Sequence, residues 1–284
     1  KNYVFLILCV SAFNFENQII TRTFARNMST VIYDSPIFGP IHSRRLGISL
    51  GINLLPKGGK FCSFDCIYCE CGLNSERRTK NPLPTADEVV ETLESKLQEL
   101  SAEGITPDVL TFAGNGEPTL HPAFPEIVER VKQVRDIYCP SAKMSILSNA
   151  TQIRRPEIRE SLLHFDNNIL KLDSAFDSTV ELVNKPQGNY TVARTVELLK
   201  MFEGKLIVQT MFLRGEYLGQ RVDNTTEEEV SAWLKLVAEI APKQVMVYSL
   251  DRDTPCQTLE KVEKDELRAI AARVEALGIP CSVA

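Results

Sequence analysis

Residues 61–69 of the chain read FCSFDCIYC and place Cys62, Cys66 and Cys69 in a C-x3-C-x2-C run. Three thiolates can ligate three irons of a 4Fe–4S cluster, which leaves the fourth iron open to a substrate or cofactor. An open iron in a reducing centre is suited to redox chemistry on a bound ligand, as in an oxidoreductase. The run therefore predicts an iron–sulfur site with these three cysteines as its metal ligands.

Zinc is the alternative interpretation of the same residues. Cysteines two or three residues apart are common zinc ligands, and Cys71 would complete a tetrahedral set of four thiolates. Structural zinc sites usually combine two cysteine pairs, whereas Cys139, Cys256 and Cys281 stand singly. The spacing favours the cluster over zinc and leaves the role of Cys71 open.

Outward from this run, short apolar stretches alternate with longer amphipathic ones. Near-continuous apolar runs are typical of parallel strands buried on both faces. Six strand-then-helix units predict an α/β fold, an open partial (β/α)6 barrel of parallel strands in one domain. The predicted strands are 47–54, 109–113, 143–147, 168–172, 206–212 and 244–250, and the predicted helices are 85–103, 124–137, 155–163, 192–202, 226–240 and 262–277. Thr85, with Glu88 three residues later, has the spacing of a capping box at the start of the first of these helices.

Polar residues follow these strands at the ends that would form the barrel mouth. The cysteine run follows the first strand, residues 114–118 (GNGEP) follow the second, and Asn149 and Asp173 follow the third and fourth. Gln209 lies in the fifth strand, and Lys171 shares a strand face with Asp173. Active sites of such folds lie at the carboxyl ends of the strands, so these side chains are candidates for the site.

The N-terminal residues differ from the rest of the chain. Lys1 precedes an apolar run at residues 3–10 that resembles a secretory signal but is too short to span a bilayer. Met28, followed by serine, offers a natural start. We expect residues 1–30 to be a disordered or mis-started extension and residues 31–284 to form the core domain, without a membrane segment.

Composition narrows the class of protein. The chain has 284 residues, 44% of them hydrophobic, with eight cysteines and a net charge of −5. Such a composition is typical of a globular protein, and the scattered cysteines show no disulfide framework. A cytoplasmic location is predicted. The acidic balance gives no support to nucleic acid as a partner.

With these motifs placed, the chain resembles the radical SAM superfamily. The resemblance depends on the cysteine run, with Tyr68 before its last cysteine, and on residues 114–118, which look like that family's glycine–glutamate–proline element. A closer resemblance is to the branch that contains wyosine-type tRNA-modifying enzymes and uncharacterised relatives. Its segments are 43–47 (SRRLG), 116–122 (GEPTLHP), 171–174 (KLDS), 209–212 (QTMF) and 248–252 (YSLDR).

The resemblance implies two cofactors, a 4Fe–4S cluster and S-adenosylmethionine, and a flavodoxin- or ferredoxin-like electron donor. Reductive cleavage of S-adenosylmethionine would give a 5′-deoxyadenosyl radical that abstracts a hydrogen atom from an unidentified substrate. No catalytic residue is assigned. The expected cofactor-binding residues are Tyr68, Gly116, Glu117, Asn149, Asp173 and Gln209, and the candidate substrate-binding residues are Arg44, Arg45 and Lys171.

Two further functions remain alternatives at this point. One is tRNA-base modification of the wyosine type, which needs a basic surface at the barrel mouth. The other is a non-catalytic zinc- or iron–sulfur-binding module. Several candidate residues also have simpler explanations, because asparagine and aspartate often cap turns at strand ends and arginine pairs are often solvated.

Overall fold

The computed structural model describes residues 31–43, 47–252 and 254–284. The strands of this part of the chain are β1 Ile37–Ser43, β2 Gly47–Ile52, β3 Val109–Phe112, β4 Lys143–Ser148, β5 Asn167–Lys171, β6 Ile207–Met211, β7 Leu213–Tyr217, β8 Gln220–Asp223, β9 Gln244–Tyr248, β10 Leu259–Lys261 and β11 Cys281–Val283. The helices are α1 Ala86–Ala102, α2 Phe124–Tyr138, α3 Pro156–Leu162, α4 Asp177–Val183, α5 Val192–Lys200, α6 Glu227–Ile240 and α7 Lys264–Glu275.

One large sheet has the strand order β1-β2-β3-β4-β5-β6-β9-β11. Strands β2 to β11 of this order are parallel, and β1 pairs antiparallel with β2 at one edge. A smaller antiparallel sheet, β10-β7-β8, follows the carboxyl ends of β6 and β9. The prediction of an open α/β partial barrel with parallel strands is confirmed.

The alternation of side chains along the strands separates two faces of the sheet. Leu170, Val208 and Val245 belong to the main core, which also contains the buried faces of the helices. Ile169, Ile207 and Met246 form a separate small cluster on the other, concave face. Since side chains two residues apart share a face, Lys171, Gln209 and Tyr248 extend that concave face towards the barrel mouth.

Local signals at the start of α1 agree with its position. Thr85 Oγ1 accepts a hydrogen bond from Glu88 N at 3.1 Å, and Glu88 Oε2 accepts one from Thr85 N at 2.7 Å. This reciprocal pair is the capping box predicted from the sequence, and it satisfies two amides that a helix start leaves unpaired.

The six predicted strands are confirmed to within two residues at each end. The prediction missed β1, β7, β8, β10, β11 and α4. Helix α4 has seven residues and no side-chain cap at its start, and β10 and β11 have three residues each. Elements this short carry too few residues for a periodic pattern to develop.

Several predictions fall on residues that the structure does not describe. The extension at residues 1–30 and the substrate candidates Arg44 and Arg45 lie outside the described residues. In the described part of the chain, no helix combines the length and apolarity needed to cross a membrane. The cytoplasmic location stays a prediction.

Candidate cofactor site

The cysteine loop, between β2 and α1, is anchored on one side to the loop that follows β3. Phe61 N donates to Asn115 O at 2.9 Å, and Glu117 N donates to Phe61 O at 3.1 Å. A Cβ on Gly116, whose φ is +135°, would lie 2.1 Å from Phe61 O, so only glycine fits there. The close approach thus brings the cysteine loop itself against Gly116, and contact of Gly116 with S-adenosylmethionine stays a prediction.

The end of α4 holds the cysteine loop on its other side. Asp65 N donates to Asn184 O at 2.9 Å, and Ile67 N donates to Val183 O at 3.0 Å. Carbonyl groups at a helix C-terminus lack partners within the helix, and here the loop amides supply them. Cys66 is consequently fixed between two main-chain hydrogen bonds to α4 and the residue that caps it.

Nitrogen donors point at two of the three candidate ligand sulfurs. Cys62 Sγ accepts from Phe64 N at 3.5 Å and from Asn149 Nδ2 at 3.6 Å. Cys66 Sγ accepts from Asn184 Nδ2 at 3.4 Å. Hydrogen bonds of this kind favour a negatively charged sulfur over a neutral thiol.

A buried cation, Lys60, lies among the same cysteines. Lys60 is 5% exposed, and its Nζ is 3.5 Å from Asp65 Oδ1. Burial lowers the pKa of Lys60, but the negative charges of the three cysteines, Cys69 foremost, raise it above its ordinary value. An ammonium in this position offsets negative charge on the thiolates.

The individual cysteines have different acidities. Burial raises the pKa of Cys62 well above its ordinary value and that of Cys66 to about 11. A hydrogen bond with Cys71 lowers the pKa of Cys69 to about 6, against the effect of burial and with help from Lys60. The same interaction raises the pKa of Cys71, whose thiol donates to Gly114 O at 3.4 Å.

Both carboxylate oxygens of Glu117 accept hydrogen bonds from neighbouring protein groups. It is 2% exposed. Its Oε1 accepts from Thr119 N at 3.1 Å, Thr119 Oγ1 at 2.5 Å and Ser148 Oγ at 2.8 Å, and its Oε2 accepts from Asn149 N at 2.6 Å. Burial raises the pKa of Glu117, and these hydrogen bonds oppose that rise. Glu117 therefore joins the ends of β3 and β4, and its direct contact with a cofactor amine stays a prediction.

Tyr68, Asp173 and Lys171 form one buried hydrogen-bonded group. The Tyr68 hydroxyl donates to Asp173 Oδ2, and Lys171 Nζ donates to Tyr68 Oη at 2.9 Å. Lys171 Nζ is also 3.5 Å from Asp173 Oδ2 and donates to Tyr248 Oη at 3.4 Å. Burial lowers the pKa of Lys171, but the Asp173 carboxylate and Tyr248 raise it. Lys171 is thus an ion-paired cation at the concave face.

The structure brings the remaining described candidates to the same mouth. Asn149 Nδ2 donates to Ser63 Oγ at 3.0 Å and so faces the cysteine loop. Gln209 pairs with Lys171 across β5 and β6. The sequence reasoning missed Lys60, whose position two residues before Cys62 was a signal, and Asn184, which gave none because α4 itself was not predicted.

The chemistry of these donors fits a 4Fe–4S cluster. In a cluster each thiolate ligates its own iron, whereas zinc ligands converge on one ion. The N–H donors to sulfur and the buried Lys60 suit the negative charge that three thiolates bring.

Comparisons with known proteins agree with this site. Residues 57–251 match the family model for the radical SAM superfamily. A protein of Brachyspira hyodysenteriae named GTPase Obg is 32% identical over 84% of this chain and 33% of its own length. A UPF0026 protein of Helicobacter pylori is 31% identical over 86% of this chain and 75% of its own length. The chain thus spans a third of the first relative and three quarters of the second.

Two solved structures share the fold. A radical SAM methyltransferase from Sphaerobacter thermophilus has a TM-score of 0.63 at 15% identity, over 83% of this chain and 65% of that protein. An archaeal TYW1 has a TM-score of 0.50 at 14% identity, over 80% of this chain and 71% of that protein. The family model covers more than half of the chain, and its matched region contains all three cysteines of the run. The chain therefore belongs to the radical SAM superfamily, whose members use a 4Fe–4S cluster and S-adenosylmethionine.

Proposed function

We propose that this chain is a radical SAM enzyme that cleaves S-adenosylmethionine reductively and abstracts a hydrogen atom from a substrate. The observation that carries the proposal is the arrangement of the C-x3-C-x2-C loop. It is held at the barrel mouth by the loop after β3 and by the end of α4, with N–H donors on Cys62 and Cys66 Sγ. Such donors stabilise negative charge on the sulfurs, which suits thiolate ligands of a cluster.

Cys62, Cys66 and Cys69 would hold the cluster. A hydrogen bond with Cys71 and the nearby Lys60 ammonium lower the pKa of Cys69, which favours its thiolate form. Lys60 and the amide donors stabilise negative charge on the bound sulfurs. When bound, the cluster and S-adenosylmethionine supply one electron and a 5′-deoxyadenosyl radical, which takes a hydrogen atom from the substrate.

The other residues of the mouth would bind and orient S-adenosylmethionine. Tyr68 lies one residue before Cys69, and its buried ring and hydroxyl are fixed by Asp173 and Lys171. Glu117 sets the position of Asn149 by accepting a hydrogen bond from the Asn149 main-chain N–H. The proposed cofactor-contacting set is Tyr68, Gly116, Glu117, Asn149, Asp173 and Gln209, and Glu117 in addition positions Asn149.

The electron must come from outside the chain, and a flavodoxin- or ferredoxin-like protein is the proposed donor. The substrate remains unassigned. Lys171 is a candidate anchor for a substrate anion, although Asp173 already offsets its charge. The likeness to archaeal TYW1 is one of fold, and a net charge of −5 does not favour tRNA.

Reconstitution with iron and sulfide under anaerobic conditions tests the proposal. The wild-type protein should bind about four irons per chain, turn brown and, after reduction, release 5′-deoxyadenosine and methionine from S-adenosylmethionine. Replacement of Cys62, Cys66 and Cys69 by alanine should abolish both iron binding and cleavage.

Cys281→Ala is the matched control, since Cys281 lies in β11 and outside the cysteine loop. It should keep the wild-type iron content. A wild-type protein that binds one zinc instead of iron, or a cluster-loaded protein that leaves S-adenosylmethionine intact, would overturn the proposed function.

A further inference from the structure

Asn184, which supplies the N–H donor to Cys66 Sγ, also contacts the buried group of Tyr68 and Asp173. It is 1% exposed and caps the C-terminus of α4. Its Nδ2 lies 2.7 Å from Asp173 Oδ2, 3.1 Å from Tyr68 Oη and 3.4 Å from Cys66 Sγ. The side chain therefore bridges a candidate cluster ligand and the buried group of Tyr68 and Asp173.

Asn184 Nδ2 has fewer hydrogens to donate than it has acceptors nearby. A side-chain amide nitrogen has two hydrogens, whereas Asn184 Nδ2 faces three acceptors. The shortest contact, to the Asp173 carboxylate, takes one hydrogen. Tyr68 Oη already accepts from Lys171 Nζ at 2.9 Å. A negatively charged Cys66 sulfur is the stronger competitor for the second hydrogen, because charged acceptors form the stronger hydrogen bonds.

The main chain fixes this contact from both sides of Cys66. Asp65 N donates to Asn184 O at 2.9 Å, and Ile67 N donates to Val183 O at 3.0 Å. The neighbours of Cys66 are thus bonded to Asn184 and to the residue before it. The docking of α4 on the cysteine loop, together with the rotamer of Asn184, therefore sets the distance from Asn184 Nδ2 to Cys66 Sγ.

We propose that Asn184 is a positioning residue that raises the reduction potential of the cluster through an N–H···S hydrogen bond to Cys66. The inference rests on the proposed function, because it requires the cluster. Reduction adds one electron, from an external one-electron reductant, and increases the negative charge on the cluster and its thiolates. A donor at a ligand sulfur stabilises the reduced form more than the oxidised form, and hydrogen bonds to sulfur are an established determinant of cluster potentials.

The test replaces Asn184 with leucine, which has a similar volume and no N–H, and separately with alanine. Each reconstituted variant is titrated with dithionite and redox mediators, and the reduced cluster is followed by electron paramagnetic resonance. At a fixed potential, the ratio of reduced to oxidised cluster should fall about threefold to tenfold, the effect of one ordinary hydrogen bond. A tenfold fall corresponds to a midpoint shift of about 59 mV for one electron.

Asn168→Leu is the matched control. Asn168 is also 1% exposed, but it lies in β5 and donates to Lys205 O at 3.4 Å, away from the cysteines. Its variant should keep the wild-type midpoint potential and iron content.

Three outcomes separate the claims. An Asn184 variant with full iron content and a wild-type midpoint overturns the inference while leaving the proposed function standing. Loss of iron from both Asn184 variants, with iron retained in Asn168→Leu, assigns Asn184 to assembly of the loop and also overturns the tuning role. A wild-type protein that binds no cluster overturns the proposed function itself.

Discussion

Glu117→Gln is the change for which the structure gives the most specific expectation. The Glu117 carboxylate accepts four hydrogen bonds, and two of them come from main-chain amides, Thr119 N at 3.1 Å and Asn149 N at 2.6 Å. A glutamine has one oxygen and one NH2 group. Whichever way it is oriented, its NH2 group must face a main-chain amide that can only donate.

The expected loss of stability is that of the less unfavourable of the two glutamine orientations. Turning the glutamine NH2 group towards Asn149 N sacrifices one charge-assisted hydrogen bond and keeps the oxygen on Thr119 and Ser148. A hydrogen bond to a charged group contributes about 1.5–3 kcal/mol, and a buried amide left without a partner costs a similar amount. We expect the free energy of unfolding of the cluster-free protein to fall by about 2–3 kcal/mol.

Glu229→Gln is the control, since Glu229 is also buried, at 8% exposure. Its side-chain partners are hydroxyl groups, Ser174 Oγ at 2.7 Å and Thr179 Oγ1 at 2.5 Å. Hydroxyls can reverse from donor to acceptor, so this variant should lose less than about 1 kcal/mol.

Urea denaturation followed by circular dichroism measures both variants. Equal losses would refute the argument from amide donors. Calorimetry on the cluster-loaded proteins adds the functional measurement: Glu117→Gln should weaken S-adenosylmethionine binding about tenfold, because Asn149 moves, and a tenfold change is about 1.4 kcal/mol. Unchanged affinity in a variant with normal iron content would remove Glu117 and Asn149 from the cofactor site.

Three further predictions concern the scaffold of the site. Gly116→Ala should lower the free energy of unfolding by about 3 kcal/mol or more, because the added Cβ meets a steric clash and φ is unfavourable for alanine. Gly188→Ala is the control: its φ is +98° but the space around the Cβ is open, so it should show only the smaller loss that comes from the unfavourable φ. Thr85→Ala removes a capping box and should cost about 1 kcal/mol by thermal denaturation; no change would contradict the cap. Burial lowers the pKa of His121, so the folded state binds its proton more weakly than the unfolded state and the free energy of unfolding falls as the pH drops below about 6.5. A pH series should show a smaller fall in His121→Gln than in the wild type, and equal falls would contradict this reasoning.

The sequence by itself determined the features that depend on neighbouring residues. Continuous apolar runs predicted the six principal strands, because parallel strands buried on both faces need them. The Thr85 and Glu88 spacing predicted the start of α1, since a capping box closes within four residues. The spacing of Cys62, Cys66 and Cys69 predicted a metal-binding loop, because all three candidate ligands lie in one short segment. Each of these signals consists of residues that are only a few positions apart in the sequence.

Only the tertiary structure decided which side chains complete the site. Asn184 and Cys66 are 118 positions apart, and Lys171 and Tyr68 are 103 apart. Their contacts arise because parallel strands carry distant loops to one mouth, and no local pattern encodes which partners meet there. The structure likewise showed Glu117 bound to Asn149 and Ser148, since the donors that occupy a buried carboxylate are set by packing between strand ends. A strand or cap is fixed by short-range sterics and hydrogen bonds, whereas a buried polar contact exists only once the chain has closed around it.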